Sequence, residues 1–222
     1  MSELIKKLSE CVEFGKVDKN SPFPPQMKGQ DGAFELTEQA LKEGIDSQAI
    51  LEEALVPAMD RVGKKFSENK IFVPQMLMSA KAMGAAMVVL KPYFMSGDIK
   101  TKGTFIIGTV FGDLHDIGKN LVAMMIEGSG WSVIDLGVDV SSDKFVETIK
   151  ENPGAVVGLS ALLTTTMVNM EEVTQAIKDA SPETKVTIGG APVNDDFCKK
   201  IGADNYSPDP QGVVEWLNKL AS

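Results

Sequence analysis

Histidine is almost missing from this chain. His115 is the only one in 222 residues. Cysteine is nearly as scarce, and Cys11 and Cys198 lie far apart, outside any metal-ligand spacing. One imidazole and two scattered thiols argue against a structural zinc centre, which gathers four N or S donors. The thiols read as ordinary residues of a reducing cytoplasm. Positive charge is also short: 22 Lys and Arg face 31 Asp and Glu, a formal net charge of −9. Nucleic acid and anionic membrane surfaces both reward clustered cations, so neither is expected as a partner. No apolar run approaches the ~20 residues of a membrane helix. The N-terminus, MSELIKKLSECVEFG, is amphipathic and has no apolar secretory segment. The length is comfortable for two domains, and 43% hydrophobic residues can build their cores.

What is present falls into two rhythms. Residues 1–95 read as helical, a bundle or cap. In residues 46–66, Ile50, Leu51, Ala54, Leu55, Ala58, Met59, Val62 and Phe66 follow the three-and-four spacing of one helix face. Asp46 and Ser47 offer N-caps for it. A further helix is expected from Pro74 to Tyr93, stopped by Lys91-Pro92 and Ser96-Gly97-Asp98. Residues 17–32, rich in Pro, Gly and polar side chains, read as a flexible loop. Residues 96–102 form a linker, and residues 95–103 a candidate hinge.

From residue 103 to 222, apolar runs alternate with helical stretches. The runs are TFIIGTV (104–110), SVIDLG (132–137), AVVGLSA (155–161), KVTIGG (185–190) and a short ADNY (203–206). Helices are expected near 117–128, 142–151, 166–180, 193–200 and 211–220. Such alternation implies βαβ units, hence a five-stranded, parallel, doubly wound α/β domain of Rossmann-like or flavodoxin-like form. Ligands of such sheets bind at the carboxyl ends of the strands. There the sequence places Gly112-Asp113-Leu114-His115-Asp116-Ile117-Gly118, then Ser160-Ala161-Leu162 with Thr164, then Gly189-Gly190.

A nucleotide phosphate loop does not fit. Five residues separate Gly112 from Gly118 where four are needed, and Asn120 stands where Ser or Thr would bind magnesium. No G-x-G-x-x-G occurs, and no Ser sits in a nucleophile elbow. What remains is one imidazole with a carboxylate two residues before it. Such an Asp fixes the ring tautomer and leaves the other nitrogen to bind a metal. One His cannot hold a bare divalent ion. It can serve a metal already carrying four equatorial ligands from a macrocycle.

The pattern D-x-H-x-x-G, S-x-L and G-G resembles cobalamin-binding domains. Here it is Asp113-x-His115-x-x-Gly118, Ser160-x-Leu162 and Gly189-Gly190, with 41 and 26 residues between the pieces. Phe72-Val73-Pro74-Gln75-Met76 with Ser79-Ala80 looks like the cap helix of methyl-transferring corrinoid proteins and of cobalamin-dependent methionine synthase. The likeness runs from about Phe34 onward, and the loop at 17–32 is longer than the family's usual break.

The resemblance implies a cobalamin or related corrinoid, bound histidine-on with its own lower base displaced, cycling between methylcob(III)amide and cob(I)amide. His115 would be the lower axial ligand of cobalt, Asp113 its hydrogen-bond partner, and Ser160 the next link. Gly112, Leu114, Asp116, Ile117, Gly118 and Leu162 would line the cofactor. Thr164, Gly189 and Gly190 would contact the nucleotide tail. Phe72 and Met76 would cover the upper face of the ring. Plainer readings exist for some: Phe72 and Met76 as core, Gly189-Gly190 as a turn, Ser160 and Thr164 as helix caps. The implied function is a methyl carrier between a substrate-specific methyltransferase and a second methyltransferase serving tetrahydrofolate or a thiol, kept active by a reductive activase. No turnover is expected from the chain alone. The alternatives are a subunit of an adenosylcobalamin-dependent mutase and a cobalamin-sensing regulator.

Overall fold

The computed structural model describes residues 2–221. The chain divides into two compact units. The first runs to Thr101 and takes in Gly128–Gly130; the second comprises Lys102–Glu127 and the chain from Trp131.

The first unit is helical. Helix α1 (Glu3–Phe14) starts where the Ser2 hydroxyl accepts the Ile5 amide and stops at Gly15, a left-handed residue with φ 77°. Ile5, Leu8, Cys11 and Val12 form its buried side. Helix α2 (Ala33–Lys42) is followed by a continuous helical stretch. That stretch opens as α3 (Ser47–Ala49), capped by Asp46, widens to a π-helix over Ile50–Leu55 and continues as α4 (Val56–Ser67). Pro57 explains the widening. It has no N–H to return to the preceding turn, and the Val56 amide reaches back to the Leu51 carbonyl. The apolar face expected for this helix is buried: Ile50, Leu51, Ala54, Leu55, Ala58, Met59 and Val62 are each at most 2% exposed. Phe66 is only half-buried.

The segment expected as a flexible loop is tied down instead. Lys16 is wholly buried and its Nζ donates to the Ser21 carbonyl (2.8 Å). Asp18 accepts the amides of Asn20 and Ser21, and Glu35 accepts those of Lys19 and Gly32. Residues 25–27 form one 3-10 turn. With this segment anchored, α1 packs against α2, α4 and α5.

Helix α5 (Val73–Ser96) is longer than Lys91-Pro92 suggested. Pro92 frees one carbonyl, that of Val88, on an exposed side of the helix, so the helix continues to Gly97. By length and composition α5 is apolar enough to cross a membrane, contrary to the expectation that no run qualifies. Its buried Met76, Ser79, Ala82, Met83, Ala86 and Leu90 recur every three or four residues and it packs on α1, α2 and α4, as a core helix does.

The second unit is a five-stranded sheet: β1 (Thr104–Thr109), β2 (Ser132–Asp135), β3 (Val156–Ser160), β4 (Val186–Gly189) and β5 (Asn205–Tyr206). All pairs are parallel and the order is β2-β1-β3-β4-β5. Helices α6 (Ile117–Gly128), α7 (Ser142–Glu151), α8 (Thr164–Met167), α9 (Asn169–Ala180), α10 (Asp195–Ile201) and α11 (Pro210–Leu220) connect the strands or follow them. Successive side chains of a strand point to opposite faces. One face carries Ile106, Val157, Leu159, Val186 and Ile188, packed with Phe145, Met170, Val173, Ile177 and Phe197 from the helices. The other face carries Phe105, Ile107, Gly158, Ser160, Thr187 and Gly189, which border a cavity with residues of α6 and α11. Pairing aligns Thr109 with Ser160 and Ser160 with Gly189 at the carboxyl ends. Strand order reverses between β2-β1 and β1-β3, so the loop after β1 stands at the topological switch point.

Candidate functional site

The loop from Gly112 to Gly118 begins with Gly112 in the left-handed region, φ 80°. The Asp113 side chain is wholly buried, while that of His115 is 50% exposed. Their contact is His115 Nδ1 to Asp113 Oδ1, 2.7 Å, and the same oxygen accepts the His115 amide at 3.0 Å. The other carboxylate oxygen accepts the Leu162 amide (2.8 Å), the Leu163 amide (3.3 Å) and the Thr166 hydroxyl (2.6 Å). Thr109 donates its hydroxyl to the His115 carbonyl (2.9 Å).

Burial pushes the Asp113 carboxyl up. The bonds from Thr166, the Leu162 amide, and the amide and ring of His115 outweigh it and hold the group well below the usual carboxylate range. An ionised carboxylate only accepts, so Nδ1 carries the ring proton. In the neutral ring the lone pair is then on Nε2, and the side chain is half exposed. That is the donor arrangement for one axial metal bond.

Around the imidazole the surface is apolar. Phe111, Leu114, Ile117, Leu162 and Leu163 are each at least 43% exposed, on the loops after β1 and β3 and at the start of α6. Water-facing apolar side chains grouped at one rim mark a ligand surface. Asp116 has a local role, bonded to Asn120 at the start of α6. Lys119 is buried and pairs with Asp135 and Asn120.

Behind the rim lies a cavity of about 350 Å³. Ser160, Gly118, Gly189 and Gly190 line it, together with Phe105, Leu121 and Tyr206. Gly158 lets the Phe105 ring lie across β3; a Cβ there would stand 2.5 Å from its Cζ. Gly190, φ 133°, passes so near Ala161 that a Cβ would meet its carbonyl oxygen at 1.8 Å. The volume suits a flat heterocycle, within the roughly 300–1,000 Å³ common for ligand pockets.

The structure thus brings together Gly112, Asp113, Leu114, His115, Asp116, Ile117, Gly118, Ser160, Leu162, Gly189 and Gly190 in one unit. Three expectations change. Ser160 is not among the partners of Asp113; it borders the cavity, and Thr166 takes the carboxylate instead. Thr164 is exposed in the first turn of α8 and does not line the cavity, because the chain has turned into the helix by then. Met76, in the helical unit, is wholly buried and has no surface to present to a ring; Phe72, before α5, is 65% exposed. Thr166 and Thr109 belong to the site although no motif marks them. The run Thr164-Thr165-Thr166 was visible, but not which of the three faces inward.

The second unit is thus a parallel doubly wound sheet with a carboxylate-anchored imidazole at its switch point, beside a slot. Residues 103–210 match the family model of the B12 binding domain, and residues 30–91 match a second B12 binding domain model. The chain is 41% identical over 186 residues to "Trimethylamine corrinoid protein 1" of Methanosarcina acetivorans, covering 82% of this chain and 86% of that one. A crystal structure of a cobalamin-binding protein from Desulfitobacterium hafniense is 30% identical with a TM-score of 0.72, over 96% of this chain and 97% of that one. A chain of the methanol:cobalamin methyltransferase complex MtaBC from Methanosarcina barkeri is 26% identical with a TM-score of 0.83, over 99% of this chain and 80% of that one. The chain belongs to the B12-binding corrinoid proteins of methyltransferase systems.

Proposed function

We propose that this chain is a methyl carrier, bound to a cobalamin or related corrinoid and working between two methyltransferases. The observation that carries the reading is the His115 ring: Nδ1 is held by the buried Asp113 and Nε2 is left bare on an apolar rim. His115 would hold the cobalt from its lower side. Asp113 keeps the ring proton on Nδ1 and the ring in one orientation. The slot bordered by Gly158, Gly189 and Gly190 would take the nucleotide tail, freed from the metal. Leu114, Ile117 and Leu162 would exclude water from the lower face. When bound, the corrinoid supplies a cobalt centre that accepts a methyl group and gives it up again.

Phe111, Leu114, Ile117, Leu162 and Leu163, the exposed apolar side chains of this rim, offer no acid or base to a methyl donor. His115 is the sole histidine, and in this reading it is taken up by the metal. Donor activation therefore belongs to a substrate-specific methyltransferase, and acceptor activation, for tetrahydrofolate or a thiol, to a second one. A reductive activase completes the set. A methylamine is the donor class supported by the trimethylamine corrinoid protein at 41% identity. Methanol is the second reading, supported by the overall likeness to the methanol complex.

Reconstitution with cobalamin tests the reading. His115→Ala should retain binding through the tail but lose the spectral signature of histidine coordination. Detection of the cofactor's own base on cobalt in the wild-type protein would refute histidine ligation. Methylation of the bound corrinoid by a methylamine-specific methyltransferase, and not by a methanol-specific one, would assign the donor.

A further inference from the structure

The turn after β2 holds a residue in a conformation that L side chains rarely adopt. Asp139 has φ 55°, in the left-handed region, although it is not a glycine. Asp and Asn tolerate that region better than most, yet it still costs energy relative to glycine. Its carboxylate Oδ1 accepts the Gly112 amide at 2.7 Å, and its own amide donates to the Asp113 carbonyl at 3.0 Å. Two bonds from one residue thus clasp the chain on either side of the Gly112–Asp113 pair. Neighbouring bonds extend the seam: the Thr109 amide to the Gly137 carbonyl, and the Val140 amide to the Thr109 carbonyl.

The clasp sits at a sensitive point. Gly112 is left-handed, and the direction of the loop is held from outside by Asp139 and by Asn169, whose Nδ2 donates to the Phe111 carbonyl (2.8 Å). The direction it takes fixes the Asp113 Cα and hence the aim of the carboxylate toward His115. Asp139 is exposed, as is Gly112, so water can replace the lost acceptor chemically. Water cannot replace the mechanical link to β2.

We propose that Asp139 is a positioning residue: it sets the orientation and tautomer of His115 by clasping the Gly112–Asp113 backbone. The proposal rests on the reading of His115 as the cobalt ligand. The carboxylate acts as an acceptor at a left-handed turn, not through its charge. Asp139→Asn keeps the acceptor and the tolerance of positive φ. Asp139→Gly keeps the backbone freedom and the amide bond to Asp113, so it removes only the carboxylate's bond to the Gly112 amide, without adding strain.

The single histidine makes the test clean, because its ring nitrogens are the only imidazole signals of the protein. Ring 15N spectra of the ligand-free protein, at one alkaline pH, report the tautomer directly. The wild type and Asp139→Asn should show the Nδ1-protonated form alone. Asp139→Gly should show a mixture while its thermal midpoint stays near that of the Asn variant. Cobalamin affinity should fall by about tenfold or more in Asp139→Gly and stay near wild type in Asp139→Asn, as for other groups that orient a metal ligand. A wild-type ring spectrum in Asp139→Gly overturns the proposal, whatever happens to affinity. So does a mixed spectrum in Asp139→Asn. If the wild-type holoprotein keeps the cofactor's own base on cobalt, histidine ligation fails, and the ligand-free spectra still decide the role of Asp139.

Discussion

Thr166 stands 53 residues from Asp113 in the chain, yet its hydroxyl donates to the Asp113 carboxylate at 2.6 Å. That bond ties α8 to the loop after β1. It also supplies one of the donors that let a charged carboxylate stay ionised with no exposed surface. Thr166→Val keeps the shape and removes the donor. The expected loss is about 1–3 kcal/mol of stability, the usual range for a hydrogen bond to a charged group or a buried polar group left short of a partner. Urea denaturation of the ligand-free protein measures it. Thr166→Ser, which keeps the hydroxyl, should lose clearly less. Equal stability of Val variant and wild type would mean the bond adds nothing.

The glycines of the motif are not equivalent. Gly190 has φ 133° and a Cβ on it would meet the Ala161 carbonyl oxygen at 1.8 Å. Gly118 lies in the first turn of α6 with open space where a Cβ would stand. Gly190→Ala should cost at least about 1–3 kcal/mol from backbone strain alone. Gly118→Ala should fold as well as wild type or slightly better, since Ala is preferred to Gly in a helix by about 1 kcal/mol. Thermal melts of the two variants separate the roles. A well-folded Gly118→Ala protein that binds cobalamin poorly would show that this glycine serves ligand approach, not folding.

Asp204 predicts a pH dependence outside the site. Burial raises its pKa, but Lys178 (2.6 Å), the Val186 amide (2.9 Å) and Lys185 (3.1 Å) prevail and hold it below its ordinary value. A depressed carboxyl binds its proton more weakly in the folded state than in the unfolded chain. Its contribution is therefore complete above the unfolded value of about 3.9 and is lost as pH falls through the folded one. The stability gap between wild type and Asp204→Asn should be constant from neutral pH to about 5 and shrink at more acid pH. Denaturation midpoints across that range check this. A gap that widens with acid contradicts the sign.

Both cysteines should be inert while the protein is folded. Burial pushes the Cys11 thiol up to about 12, and burial, with Asp195 and Asp204 nearby, raises Cys198 as well. The thiolate is the reactive form, and neither side chain is accessible. A thiol reagent at neutral pH should find no fast-reacting group in the native protein and two in denaturant. Rapid native labelling would show that one of the two regions opens readily.

Much of the site was legible because its residues are contiguous or carry short signatures. Asp113 and His115 are two apart, so their pairing follows from the local chain. The carboxyl-end location follows from the alternation of apolar runs and helical stretches. The apolar face from Ile50 to Val62 was readable from spacing alone, because burial of a helix follows its period. What the local pattern missed were competitions decided elsewhere. Pro57 bends its helix into a π-turn, and Lys16 with Glu35 fastens a segment whose composition suggested slack. Pro92 reads as a helix end, but the carbonyl it frees lies on an exposed side.

By itself the sequence determined the order of elements, the parallel doubly wound sheet and the one imidazole that is the candidate ligand, since these rest on periodicity and on residue chemistry. Only the tertiary structure decided what holds that imidazole. Ser160 ends β3 and Thr166 comes six residues later, and nothing local says which reaches Asp113. Strand pairing points Ser160 toward the cavity, and the turn into α8 carries Thr166 back over the carboxylate. Asp139 acts on Gly112 from 27 residues away because β2 pairs with β1 in parallel register and brings its turn alongside. A hydrogen bond needs two groups within about 3 Å. The chain fixes that separation for near neighbours, and the packed sheet fixes it for all the rest.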